Sequence, residues 1–257
     1  MTLDGAVAVT HPGGRTGVLL CHGYTGTPQS LGDWPRVLAA AGFSVECPLL
    51  PGHGSHWRDM APTRWTDWYG AVDVAFADLR SRCDQVFVMG LSMGGTLALR
   101  IAEQHGADVA GLVLVNPSLA TTRFAARFAP LLKHFVASTP GPGNDIALPG
   151  IAELAYDRHP LRAFDSLRAF WRVVRADLGR IDQPLLVFRS ANDHVVEPIS
   201  TELLLAGVAS SDVTEVVLAR SFHVATLDHD APRIFAESVE FVRQHGRTLT
   251  GKGADAQ

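Results

Sequence analysis

Val86-Phe87-Val88-Met89-Gly90-Leu91-Ser92-Met93-Gly94-Gly95 decides how this chain is read. An apolar, strand-like run passes straight into Gly-x-Ser-x-Gly, and a helical pattern follows from Thr96 to His105. That setting marks a strand–turn–helix elbow with the serine at a sharp, strained turn and its hydroxyl exposed. Gly90 and Gly94 leave room there, because a side chain at either position would collide with the neighbouring strand or helix. The stretch points to serine hydrolase chemistry with Ser92 as nucleophile.

Outward from the elbow, apolar β runs alternate with helical periods. Val18 to Cys21, Phe43 to Cys47, Val86 to Met89, Leu112 to Val115, Leu185 to Phe188 and Thr214 to Leu218 read as strands. Gln29 to Ala41, Arg64 to Arg82 and Ala231 to His245 read as helices; Trp65, Trp68, Val72, Ala75, Phe76 and Leu79 keep helical spacing along the second. Short continuous apolar strands between helices predict an α/β fold with a mostly parallel sheet covered on both faces. Between Pro117 and Arg180 there is no core-strand pattern, only two helical stretches, Thr122 to Val136 and Leu161 to Leu178, around the turn Thr139-Pro140-Gly141-Pro142-Gly143. The expected organisation is a core of residues 1–116 and 181–246, a helical cap inserted at 117–180, and a flexible tail at 247–257.

Composition sets the remaining bounds. A chain of 257 residues with 47% hydrophobic content suits one α/β domain with a small insertion. A net charge of −4 with scattered arginines leaves no nucleic-acid footprint and no basic membrane anchor. No apolar run is long enough to span a bilayer, and Met1 to Gly14 does not read as a signal peptide. Cys21, Cys47 and Cys83 form neither a disulfide framework nor a zinc pattern, so a cytoplasmic setting is expected, with each cysteine a small buried hydrophobe.

A serine hydroxyl needs a base in hydrogen-bond reach, and the base needs an orienting partner. Asp193 follows the strand 185–188, and His223 follows the strand 214–218. Both fall at carboxyl ends of parallel strands, on the same rim as Ser92, in the order Ser, acid, His. The expected oxyanion donors are the backbone N–H of Met93, next after the serine, and of Tyr24 in the loop His22-Gly23-Tyr24-Thr25-Gly26. His194 and His229 compete with His223 for the base: His194 adjoins the acid and is expected to point away, and His229 reads as part of a helix N-cap region. His22, His53 and His56 match no metal-ligand spacing; His22 reads as a loop-packing residue and His53 as part of a Gly-flanked turn, and no metal is expected.

Taken together, His22-Gly23-Tyr24-Thr25-Gly26-Thr27-Pro28, Pro51-Gly52-His53-Gly54, the Ser92 elbow, Asp193-His194-Val195-Val196 and Ser221-Phe222-His223-Val224 resemble bacterial carboxylesterases of the α/β-hydrolase superfamily. The resemblance is to its small carboxylesterase and monoacylglycerol lipase group and runs from about Thr16 to Gln244. It implies that short- to medium-chain esters, with monoacylglycerols as candidates, are the small-molecule substrates. It further implies an acyl pocket lined by the cap, and no cofactor. A thioesterase or a carbon–carbon bond hydrolase on the same scaffold, or a ligand-binding protein without hydrolytic activity, are the alternatives. Phe124, Phe128, Leu131, Leu132 and Phe135, and likewise Phe164, Leu167, Phe170, Trp171 and Val174, are expected to supply cap core, with a minority of them facing an acyl chain. The residues that bind substrate stay unassigned, as does the oligomeric state.

Overall fold

The computed structural model describes residues 2–141 and 143–246; the tail expected at 247–257 lies outside the described residues, as does Pro142 of the turn at 139–143. In chain order the elements are β1 (Val9–His11), β2 (Thr16–Cys21), α1 (Trp34–Ala40), β3 (Ser44–Cys47), α2 (Trp57–Met60), α3 (Trp65–Arg82) and β4 (Gln85–Leu91). There follow α4 (Met93–His105), β5 (Val109–Val115), α5 (Ala129–Leu132), β6 (Ser138–Pro140), β7 (Arg158–Pro160) and α6 (Leu161–Asp177). The chain closes with β8 (Leu185–Ser190), α7 (Ile199–Gly207), β9 (Val213–Leu218) and α8 (Ala231–His245).

Seven strands form one sheet in the order β1-β3-β2-β4-β5-β8-β9. Only β1 is antiparallel, pairing with β3 at the edge; the other neighbours run parallel. Alternate residues of each strand enter opposite cores, as the period of two requires. Leu19, Val88, Leu112, Leu114 and Val187 pack under α3, α4 and α6 against Trp68, Phe76, Leu97 and Phe170. Val18, Leu20, Met89, Val113 and Phe188 pack on the other face against Trp34 and Leu38 of α1 and Ile234 and Phe235 of α8. Two covered faces explain why these strands read as unbroken apolar runs.

Two predicted helices are shorter than their apolar periodicity suggests. The stretch 29–41 divides into a 3-10 turn, Pro28–Leu31, and α1, because Gly32 interrupts it with φ of 56°. A Cβ on Gly32 would lie 2.6 Å from the Thr226 carbonyl oxygen, so the break is also a packing contact. The stretch 122–136 becomes a 3-10 turn, Phe124–Phe128, followed by the single turn α5. Pro130 lies in the first turn of α5, where its missing N–H costs nothing, but it cannot continue a helix from upstream. Phe124, Phe128, Leu131 and Phe135 are accordingly exposed rather than packed as cap core. The segment between β5 and β8 adds no strand to the main sheet but does contain the small antiparallel pair β6–β7. Its long helix α6 is built into the core: Phe170 and Val174 are fully buried, and Arg100 of α4 pairs with Asp177 at 2.7 Å.

The tightest packing lies at the elbow. A Cβ on Gly94 would stand 1.9 Å from the carbonyl oxygen of Cys21, and one on Gly90 2.2 Å from the backbone of Gly94. Both obstacles are main chain and cannot rotate aside. Gly70, inside α3, has open space where its Cβ would be. Gly94→Ala is therefore expected to lower unfolding free energy by about 3 kcal/mol or more in urea titration. Gly70→Ala should raise it by up to about 1 kcal/mol through helix propensity and unfolded-state entropy. Equal effects at the two positions would contradict the close-approach account of the elbow.

Candidate active site

Ser92 follows β4 directly and has φ of 56° and ψ of −117°, a left-handed conformation that L-residues rarely adopt. The surrounding backbone holds it there. Its N–H donates to Val115 O at 2.9 Å, and its carbonyl accepts from Gly95 N at 2.9 Å and Ser118 N at 3.2 Å. The next residue, Met93, opens α4, so its N–H is one of the donors that a helix N-terminus leaves without an internal partner. Across from it the loop after β2 brings Tyr24 alongside. Cys21 is in register with Gly90, and a Cβ on Gly23 would lie 3.5 Å from Ser92 Cβ. Tyr24 is anchored by its hydroxyl, which donates to Pro160 O at 3.0 Å, and by edge contacts with Trp68 and His159. His22 lies buried beneath this loop, accepting from Leu50 N at its Nε2 and packed against His53.

Asp193 and His223 meet at the carboxyl ends of β8 and β9. Imidazole Nδ1 lies 2.7 Å from Asp193 Oδ2, and both side chains are almost fully buried. The second oxygen, Oδ1, accepts from the amides of Val195 and Val196, each at 2.8 Å. Burial pushes the Asp193 carboxyl upward, but the His223 charge, its hydrogen bond and the two amides outweigh burial and hold it below its ordinary value. Burial likewise pushes His223 downward; the charge and hydrogen bond of Asp193, with the charges of Glu153 and Asp145, carry it above its ordinary value. The two rival histidines lie elsewhere. His194 turns its exposed ring to Asp145 at 2.7 Å, and His229 meets Arg220.

Ser92 and His223 open onto one cavity of about 490 Å³. Leu132, Phe164, Leu167 and Trp171 give it an apolar wall, as a site for a hydrocarbon chain requires. From 124–132 it is the small residues Ala125, Ala126 and Ala129, with Leu132, that face inward while the phenylalanines face outward. Two polar residues in the wall are not legible in the sequence. Glu153 makes no side-chain hydrogen bond or ion pair among the described residues, and burial pushes its carboxyl up to about 7. His159 lies against Tyr24, and burial pushes its imidazole down to about 4. Neither has a local sequence signature, since each acquires its meaning from a wall built by distant segments. Among the described residues no group of three or more His, Cys, Asp or Glu side chains is placed to hold a metal ion.

A profile of the family described as "Alpha/beta hydrolase family" matches residues 18–238. The chain is 39% identical over 245 residues to the thermostable monoacylglycerol lipase of Bacillus sp. (strain H-257), covering 95% of this chain and 96% of that relative. It is 22% identical to a carboxylesterase of Bacillus subtilis (strain 168), over 91% of this chain and 95% of the relative. Among solved structures, one from work on two metagenome-derived lipolytic enzymes, LipS and LipT, superposes with a TM-score of 0.92 at 37% identity, covering 95% of this chain and all of that one. The monoacylglycerol lipase of Paleococcus ferrophilus shares the fold, with a TM-score of 0.77 at 19% identity over 93% of this chain and 98% of that one.

The electrostatics of the pair can be read without any substrate. An NMR titration of His223 should give a pKa above 6.5 in the native chain. In Asp193→Asn it should fall below the native value, because burial then acts against weaker opposition. The sign for stability follows. His223 is raised on folding, so its contribution is full below its unfolded value and is lost as pH rises through the folded one. Asp193 is depressed, so its contribution holds above its unfolded value and is lost as pH falls through the folded one. A His223 pKa unmoved by Asp193→Asn would contradict the pairing.

Proposed function

The chain belongs to the alpha/beta hydrolase family and hydrolyses ester bonds, and from that premise we propose that Ser92, Asp193 and His223 form its catalytic triad. The carrying observation is the buried 2.7 Å pair of Asp193 and His223, whose His223 lines the cavity that also receives the strained Ser92 turn. Ser92 Oγ attacks the ester carbonyl while His223 Nε2 takes its proton, and Asp193 fixes the tautomer with the proton on Nδ1 and stabilises the imidazolium. The N–H groups of Tyr24 and Met93 receive the negative charge that develops on the carbonyl oxygen. His223 then returns its proton to the departing alcohol, leaving an acyl-enzyme on Ser92. A water activated by His223 releases the acid by the same route in reverse. No step calls for a cofactor.

The substrates in this reading are short- to medium-chain esters, with monoacylglycerols among them. Residues 117–180 act as the cap, whose apolar wall receives the acyl chain. The carboxyl of Glu153, which makes no side-chain hydrogen bond among the described residues, and the neutral ring of His159 lie in the same cavity. A polar group cut off from solvent by a bound substrate is costly without a partner, and the free hydroxyls of a glycerol ester would supply partners. The name carried by the 39% identical relative supports the same substrate class. Among the described residues no helix is long and apolar enough to cross a membrane.

Hydrolysis of p-nitrophenyl esters from acetate to palmitate, with monolauroylglycerol alongside, tests this. Ser92→Ala is expected to lower kcat by about four orders of magnitude or more while the circular dichroism spectrum is kept. Substantial residual turnover would remove Ser92 from its role. Glu153→Gln should lower kcat/KM for monolauroylglycerol by about tenfold, the value of one well-placed hydrogen bond. The same change should have little effect on p-nitrophenyl laurate, which has no free hydroxyl to place; equal losses on the two would count against the glycerol reading.

A further inference from the structure

His223 is held by more than its ring. Its backbone N–H donates to Asp145 Oδ2 at 3.0 Å, and its carbonyl accepts from Asn116 Nδ2 at 2.7 Å. Asn116 lies at the end of β5 with φ of 45°, and its Oδ1 also accepts from Ser190 N at 2.7 Å. That clamp belongs to the sheet. Asp145 does not: it lies between β6 and β7, in the stretch inserted between β5 and β8.

The same carboxylate reaches the neighbouring loop. Oδ2 also accepts from the N–H of His194 at 3.2 Å, and Oδ1 lies 2.7 Å from His194 Nδ1. His194 directly follows Asp193 in sequence. One side chain therefore takes donors from the loop that carries the acid and from the loop that carries the base. The Asp145 side chain is only 11% exposed, and a carboxylate at that depth is costly unless its oxygens are hydrogen-bonded. Each donor it meets comes from one of these two loops. Main-chain bonds reinforce the attachment. Val224 N donates to Asp145 O at 3.1 Å, and Asp228 accepts from Ala147 N, Leu148 N and Phe222 N.

We propose that Asp145 is a positioning residue for ester hydrolysis, a carboxylate from the inserted segment that ties the Asp193 loop to the His223 loop and fixes where the imidazole stands. This rests on the triad reading above. Asp145 lines the same cavity as Ser92 and His223 but bonds the peptide of His223, while the ring is bonded by Asp193; it acts through that peptide and through its charge. Three carboxylates surround that imidazole, Asp193 at its Nδ1 and Glu153 and Asp145 further off, and all three favour its protonated form. The imidazolium formed during attack therefore gains from Asp145 both placement and charge.

The test uses Asp145→Asn, close in volume to the native side chain, with His194→Ala and Ser92→Ala in parallel. For each, kcat, KM, the pH–rate profile on p-nitrophenyl butyrate and the melting temperature are measured. Asp145→Asn should lower kcat roughly tenfold, as expected for loss of a charge-assisted hydrogen bond. KM and melting temperature should change little, and the acid limb of the profile should move to lower pH, because a negative charge that favoured the imidazolium is gone. His194→Ala removes one leg of the bridge from an exposed ring and keeps the charge. It should lower kcat severalfold with the acid limb unmoved, and it decides the matter if Asp145→Asn does not fold. Unchanged kcat in both variants would overturn the proposal. So would a loss in Asp145→Asn that follows melting temperature while the acid limb stays in place, since that is what a purely structural carboxylate would give. Turnover surviving in Ser92→Ala would overturn the triad reading itself, a result separable from the other two.

Discussion

The approach of α4 to the end of β2, closed to the point where no Cβ fits at Gly94, is the contact on which the rest of the site depends. It brings the first turn of α4 against the carbonyl of Cys21. Because β2 and β4 are parallel neighbours in register, the loop that leaves β2 must then run beside the turn that leaves β4. One contact thus brings the segment that carries Tyr24 beside the turn that carries Ser92 and Met93. The left-handed φ of Ser92 is the conformational cost of that arrangement, and the surrounding hydrogen bonds to Val115, Gly95 and Ser118 hold it in place.

Charge is organised around one imidazole. Burial pushes the carboxyls of both Asp193 and Glu153 upward, yet they lie on opposite sides of their ordinary values. The difference is their partners. Asp193 has the ring of His223 and two backbone amides, so its ionised form is stabilised despite burial. Glu153 has burial with only a distant cation to oppose it, so its neutral form persists to a higher pH. Two carboxyl groups that act on one imidazole are thereby set to opposite sides of their ordinary values by environment alone.

The elements and residues legible in the sequence were those whose signal is local. Val86 to Gly95 contains its own strand, its own turn glycines and the start of its own helix. Asp193 and His223 each follow an apolar strand run, so their rim position could be read from order and spacing. Apolar periodicity misled where one residue vetoed it: Pro130 cut the pattern at 122–136 to a single turn, and Gly32 divided the one at 29–41. The three-residue strands β1, β6 and β7 are too short to show a period, and α7 begins after Pro198 within a mixed sequence. Asp145, Asn116 and Glu153 were invisible for a further reason. Asp145 is 78 positions from the amide it holds, and Asn116 is 107 from its carbonyl partner. A single acidic or amide side chain in a polar turn has no signature until the fold supplies its counterpart.

The cavity wall is built from two kinds of structure, and this decides which side sets its dimensions. Phe164, Leu167 and Trp171 project from α6, which is fastened to the core by Phe170, Val174, the Arg100–Asp177 pair and the bond from Trp171 Nε1 to Ser118 Oγ. Moving that wall would disturb α4 and hence the Ser92 turn. The stretch of wall from Ala125 to Leu132 exposes most of its large apolar side chains and is held chiefly by polar links: Arg123 to the His194 carbonyl, Thr121 and Thr122 to Glu197, and Lys133 to Asp165. Segments with few buried apolar contacts open at lower free energy than the core they cover. Substitutions on α6 therefore act on the cavity and on the Ser92 turn together, whereas those at 125–132 alter the room in the cavity and leave Ser92, Asp193 and His223 where the sheet put them.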